Sequence, residues 1–164
     1  DAIKQISLSL GDQVLVGAGT VLDSETARLA ILAGAEFIIA PTVDFETIRL
    51  CRRYGKVVMP GALTPTEILQ AWEQGADFVK VFPADALGGP AYIKAIKAPL
   101  PQIDVVPTGG VNFDTAADFI RAGAAAVGVG SGLIDKKLIA AEAYDQLAQK
   151  TSEFIQVIEA ARQG

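Results

Sequence analysis

The sequence predicts an α/β protein built as a parallel (β/α)8 barrel, with six of its eight strands present. One observation is a repeat. Three stretches share a helical pattern, a Gly-Ala pair, an apolar strand and a punctuating loop: Gly34-Ala35 to Pro41, Gly75-Ala76 to Pro83, and Gly123-Ala124 to Ser131. Strands that alternate with helices imply right-handed crossovers and a parallel sheet. A second observation is that Gly19-Thr20, Pro41, Pro60-Gly61, Pro83, Thr108-Gly109-Gly110 and Gly130-Ser131 all fall at the carboxyl ends of strands. That rim holds the active site of a parallel barrel, although turns favour glycine and small hydroxyls in any case. The third is that the glycine-richest turns follow the last two strands. Loops after the seventh and eighth strands of such barrels often bind phosphate. Counted backwards, the chain begins just before the third strand. The competing arrangement is an open doubly wound sheet, but Gly17-Ala18-Gly19 lacks the third glycine of a dinucleotide fingerprint.

The elements follow in order. Residues 2–10 read as the end of a helix, with Ile3, Ile6 and Leu10 on one face. Val14-Leu15-Val16 is a short strand. Asp23 is an N-cap for a helix running to about Ala33. Glu36 to Pro41 is the next strand, and Asp44 caps a helix ending near Tyr54-Gly55. Lys56 to Met59 is a strand stopped by Pro60-Gly61. Thr64-Pro65-Thr66-Glu67 combines an N-cap threonine, a proline at N1 and a glutamate at N3, which makes a capping box. That helix ends at Gly75 and leads into Ala76 to Ala84. Leu87-Gly88-Gly89-Pro90 is a loop before a short helix from Ala91 to Ile96. Ile103 to Val106 is a strand, Asn112 caps a helix that stops at Gly123, and Ala125 to Val129 is the last strand. A helix from roughly Ala140 to Arg162 closes the chain.

The chemistry centres on Ala76-Asp77-Phe78-Val79-Lys80-Val81-Phe82-Pro83-Ala84. Alternation puts Phe78, Lys80 and Phe82 on one face and Val79 and Val81 on the other. With both faces apolar, the strand is expected to be buried on both sides. Burial disfavours the charged form of a lysine and lowers its pKa. A neutral amine is a nucleophile toward a carbonyl and gives a Schiff base. The plainer reading is that Lys80 snorkels to the strand end and keeps its ammonium in water.

Composition narrows the alternatives. The 164 residues are 51% hydrophobic and 20% charged, which is enough for a single domain with a real core. No apolar run approaches the ~20 residues that span a membrane, and no signal peptide is visible. The single cysteine, Cys51, rules out an internal disulfide framework and fits a reducing cytoplasm. A formal charge of −5 argues against nucleic acid as the main partner. There is no histidine, so Ser-His triads and histidine-built zinc sites are excluded.

Several motifs occur together: Gly17-Ala18-Gly19-Thr20-Val21, Pro60-Gly61 with Thr64-Pro65-Thr66-Glu67, Val79-Lys80-Val81-Phe82-Pro83-Ala84, Gly88-Gly89, and Pro107-Thr108-Gly109-Gly110-Val111. In order and spacing they resemble the 2-keto-3-deoxy-6-phosphogluconate / 4-hydroxy-2-oxoglutarate aldolases over essentially the whole chain. The resemblance implies a class I aldolase that needs no metal or cofactor, built as a (β/α)8 barrel and forming a homotrimer. Lys80 would form the Schiff base with the 2-keto carbon, with Phe82 packed beside it. Thr20 and Thr108 would hydrogen-bond the pyruvyl carboxylate and the catalytic water, and Pro41 would line the pocket. Gly109, Gly110, Gly130 and Ser131 would hold the substrate phosphate. The products would be pyruvate and an aldehyde.

The resemblance also implies a general-base glutamate on the second strand and a carboxylate-binding arginine a few residues on. Neither segment is in this sequence. Glu67 reads as a capping residue, and Glu36 and Asp77 begin strands at the opposite rim. Asp85 lies at the correct rim, without a motif that gives it a role. The expectation is one barrel domain over residues 1–164, lacking the first two strands and first helix, about 40 residues in a barrel that closes with eight strands. Two other readings compete. One is a noncatalytic scaffold or assembly fragment whose open sheet edges invite association. The other is a different phosphate-binding barrel enzyme, an isomerase or synthase, which has no need of Lys80.

Overall fold

Strand pairings in the N-terminal part of the computed structural model, which describes residues 1–163, run parallel. This part, Asp1–Val81, is one of two compact units; the other begins at Phe82. Its elements are α1 (Ala2–Leu10), β1 (Gly17–Gly19), α2 (Ser24–Leu32), β2 (Phe37–Ile39), α3 (Phe45–Arg53), β3 (Val57–Met59), β4 (Gly61–Ala62), α4 (Pro65–Glu73) and β5 (Val79–Val81). Strands β1, β2 and β3 lie side by side in that order.

The register explains which side chains make the core. Ala18, Ile38 and Val58 sit opposite one another across the three strands, and all three are buried. With Ala27, Ala30 and Ile31 of α2 and Ile48 and Cys51 of α3 they form one apolar cluster. Residues of one parity share a face, so the neighbouring rungs point the other way. Phe37, Ile39 and Met59 on those rungs are half-buried. Burying a side chain such as Ile48 completely stabilises the fold by roughly 1.5–3 kcal/mol.

The helix starts follow the predicted caps. Asp23 accepts from the Thr26 N–H at 2.6 Å, and Asp44 accepts from the Thr47 N–H at 2.9 Å. The capping box of α4 is complete. The Glu67 N–H donates to Thr64 Oγ1 at 3.3 Å, and the Thr64 N–H donates to Glu67 Oε2 at 2.8 Å.

The second unit holds a 3-10 turn (Ala84–Leu87), α5 (Pro90–Lys97), β6 (Val105–Pro107), α6 (Ala116–Arg121), α7 (Lys136–Ala140) and α8 (Tyr144–Gln163). Ile93, Ile103, Val105 and Phe119 are its largest fully buried side chains. Phe154 of α8 meets Phe113 edge to face, with ring centroids 5.1 Å apart, an arrangement that aromatic quadrupoles favour.

Four expectations about where elements begin and end need correction. The first strand is Gly17–Gly19 rather than 14–16. Val14 and Leu15 are 49% and 78% exposed, and the Phe37 ring occupies the space a side chain at Gly17 would need. The strand expected over 125–129 is reduced to one parallel bridge, Thr108 to Gly128. Ala125 and Gly128 donate to the carbonyls of Val105 and Pro107, but Pro107 has no N–H to return on that edge. Asn112 does not cap a long helix, because α6 starts at Ala116 after a tight turn. The last helical segment is two helices, since Glu142 takes a left-handed φ of 52° between α7 and α8.

The β5 strand also departs from the expected burial on both faces. Val79 and Val81 are fully buried, whereas Phe78 and Lys80 are half-buried and Phe82 is 38% exposed. Among the described residues no helix is long and apolar enough to cross a membrane.

Candidate active site

Lys80 sits at the middle of β5, directly opposite Gly61 of β4. Its backbone N–H donates to the Pro60 carbonyl at 2.9 Å, which fixes its height along the strand. Gly61 is there for space. A Cβ at that position would stand 2.3 Å from the Pro41 carbonyl, so the chain after β2 lies directly against it. The Gly61 N–H donates to the Thr42 carbonyl at 3.2 Å, and the Ala40 N–H donates to the Met59 carbonyl at 3.1 Å. Pro41 and Lys80 are thereby carried to the same carboxyl-end rim. Thr20 comes to that rim as well. It follows Gly19, which is level with Ile39, which is level with Met59. Thr20 is one of two non-glycine residues with positive φ among those described, at 30°. Such strain often accompanies a working side chain.

Burial is what perturbs Lys80, and it lowers the pKa below the 10.5 of an ordinary lysine. The amine is therefore more often neutral, and more nucleophilic, than that of a surface lysine. Glu36 and Asp77 are at the other end of the strands, as expected. Glu36 pairs with Lys56 at 2.7 Å, while Asp77 accepts from the Val58 N–H and pairs with Arg52 at 3.6 Å. Glu67 is occupied by its cap. The N–H groups of Thr64 and Leu63 hold its carboxyl below the usual range. Among the described residues no group of three or more His, Cys, Asp or Glu could hold a metal ion.

Phe82, Thr108, Gly109, Gly110, Gly130 and Ser131 belong to the second unit. Thr108 follows β6, and the Ala84 N–H donates to its carbonyl at 2.9 Å. Gly109 and Gly110 have φ of 101° and 69°, a conformation that only glycine adopts without cost. Successive N–H groups in such turns form concave anion sites. The Gly130-Ser131-Gly132 turn lies against this one. A Cβ at Gly132 would be 2.3 Å from the Val111 carbonyl. The two glycine turns are therefore brought together, with Ser131 exposed on the second.

Sequence reasoning missed or left unassigned three residues here. Gly128 lies beneath Thr108, and a Cβ there would come within 2.2 Å of Thr108 Oγ1. An isolated glycine inside a strand pattern is a signal of close approach. Asp85 stands over the glycine turn, and a Cβ at Gly109 would be 2.8 Å from its Oδ1. Thr115 donates from Oγ1 to the Gly110 carbonyl at 2.7 Å, a contact that no spacing rule announces.

The family model described as KDPG and KHG aldolase matches residues 1–150. The chain belongs to the KDPG and KHG aldolase family. It is 39% identical over 163 residues to a 2-dehydro-3-deoxy-6-phosphogalactonate aldolase of Escherichia coli, covering 99% of this chain and 77% of that one. A solved structure described as native KDPGal superposes with a TM-score of 0.90 at 38% identity, over 99% of this chain and 77% of the other. A KDPG aldolase from Legionella pneumophila superposes with a TM-score of 0.77 at 26% identity, over 98% of this chain and 73% of the other. That structure holds pyruvate captured at low pH as a covalent carbinolamine intermediate. As an aldolase of this family the chain is an enzyme of the lyase class.

Proposed function

We propose that this aldolase cleaves a 2-keto-3-deoxy-6-phosphogluconate-type substrate, or 4-hydroxy-2-oxoglutarate, to pyruvate and an aldehyde through a Schiff base on Lys80. The observation that carries the reading is the half-buried lysine at the centre of β5, with its pKa lowered by burial. The carbinolamine seen in the Legionella relative is the adduct expected just before such an imine. Neutral Lys80 Nζ attacks the C2 carbonyl to give a carbinolamine, whose hydroxyl takes a proton from solvent and leaves as water, giving a protonated imine. The C3–C4 bond then breaks and its electron pair enters the imine system as an enamine. The C4 hydroxyl proton passes to the water expelled on imine formation as the aldehyde carbonyl forms. Protonation of the enamine at C3 and hydrolysis release pyruvate and restore the amine.

Thr20 and Thr108 take the pyruvyl carboxylate and the water, Pro41 and Phe82 line the pocket, and the turns of Gly109, Gly110, Gly130 and Ser131 take the phosphate. The finer architecture we propose is a (β/α)8 barrel that assembles as a homotrimer. The parallel strands and the superposition on native KDPGal support the barrel.

The test is trapping. Incubation with pyruvate and borohydride should add one reduced pyruvyl group to the peptide containing Lys80, and Lys80→Met should abolish it. Folded wild-type protein that gains no mass on that peptide would refute the Schiff-base reading.

A further inference from the structure

We propose that the Thr115 hydroxyl is a positioning residue for anion binding: it locks the Gly110–Val111 peptide so that the glycine turn presents a fixed set of N–H groups to the substrate phosphate. The proposal rests on the reading of Gly109 and Gly110 as phosphate ligands. Two consecutive glycines in the left-handed region make a turn whose peptides would otherwise reorient easily. A peptide unit is planar and trans, so fixing its carbonyl fixes its N–H in the opposite direction. The Ala84 N–H fixes the Thr108 carbonyl at 2.9 Å, and with it the Gly109 N–H. Thr115 Oγ1 fixes the Gly110 carbonyl at 2.7 Å, and with it the Val111 N–H. The turn is thus held at both ends, and the Gly109–Gly110 peptide between them has little freedom left.

The hydroxyl itself is held. It accepts from the Asn112 N–H at 3.0 Å. Its single proton goes to the Gly110 carbonyl rather than to Asn112 Oδ1, which lies 3.3 Å away. Asn112 Oδ1 is already engaged by the N–H groups of Asp114 and Thr115, at 2.9 and 3.2 Å. Gly132 of the second turn closes over the Val111 carbonyl, which shares the next peptide with the Asn112 N–H that donates to Thr115 Oγ1.

Thr115→Val keeps the shape and removes the donor, whereas Thr115→Ser keeps the donor. Three quantities are compared: cleavage of the phosphorylated substrate, inhibition by inorganic phosphate, and borohydride trapping of pyruvate. In Thr115→Val, KM and the phosphate inhibition constant should both rise about fivefold to tenfold, the loss of one hydrogen bond. The kcat and the trapping rate should be unchanged, and Thr115→Ser should restore both affected constants. If Thr115→Val does not fold, Thr115→Ala must show the same split. Wild-type constants in a folded variant without the hydroxyl would overturn the proposal. So would an equal loss in trapping, which would mark Thr115 as merely structural. Wild-type protein that traps pyruvate but is not inhibited by phosphate would overturn the phosphate reading and this proposal with it. Wild-type protein that fails to trap pyruvate would instead count against the Lys80 reading.

Discussion

Lys80 ties the local environment to the chemistry most directly. Its folded pKa is lowered by burial, so the neutral amine appears at lower pH than on an ordinary lysine. The rate of pyruvate trapping should rise with pH to an inflection below 10.5, measured by quenched borohydride reduction across a pH series. The same shift has a stability consequence. A lysine with a depressed folded pKa destabilises the fold below that pKa, and the penalty disappears as pH rises towards the unfolded value. Lys80→Met should therefore lose all trapping yet melt no lower than wild type at neutral pH, which calorimetry checks. Gly128 offers a second prediction. Gly128→Ala puts a methyl where Thr108 Oγ1 now sits, and the hydroxyl has to move. Displacements of this size cost roughly ten- to a hundredfold in kcat/KM, and steady-state cleavage should show that loss in a protein that still folds. At this scale the lysine was legible because an ionisable group in an apolar strand is costly and stands out. Thr115 was not, because a threonine after an Asn-Phe-Asp turn looks like any other capping residue until its hydroxyl is seen on Gly110.

Among the elements, α4 shows how far local chemistry reaches. Thr64, Pro65 and Glu67 specified its start, and the capping box is present with both reciprocal bonds. Thr64→Ala should cost about 1 kcal/mol in denaturant unfolding. Glu67 has its pKa held down by the N–H groups of Thr64 and Leu63. Its stabilising effect is therefore full above the ordinary carboxylate range and is lost as pH falls through the lowered folded value. Glu67→Gln should flatten the acid limb of a stability-against-pH curve in that window. The strands were less legible than the helices. Their existence followed from apolar runs, but their ends depended on neighbours. Phe37 needs the space above Gly17, which moves β1 past the exposed Val14 and Leu15. Pro107 removes a ladder bond beside residues 125–129, which leaves a single bridge where a strand was expected.

For the whole molecule, the trimer is the testable expectation. Light scattering at micromolar concentration should give three times the 17.1 kDa chain mass, and a purely monomeric species would remove it. The sequence alone determined the alternation of strands and helices, the caps at Asp23, Asp44 and Thr64, the family and the lysine proposed to react. Each of these is written in residues close together: a period, an N-cap with its third residue, a Lys-Val-Phe-Pro run. The tertiary structure decided what distant residues do to one another. It set Pro41 against Gly61 and Gly61 beside Lys80, laid Thr108 over Gly128, and closed the Gly132 turn on Val111. It also decided that only one face of β5 is sealed from water. Burial and close approach are properties of packing between segments far apart in sequence, and periodicity fixes which way a side chain points without fixing what it meets.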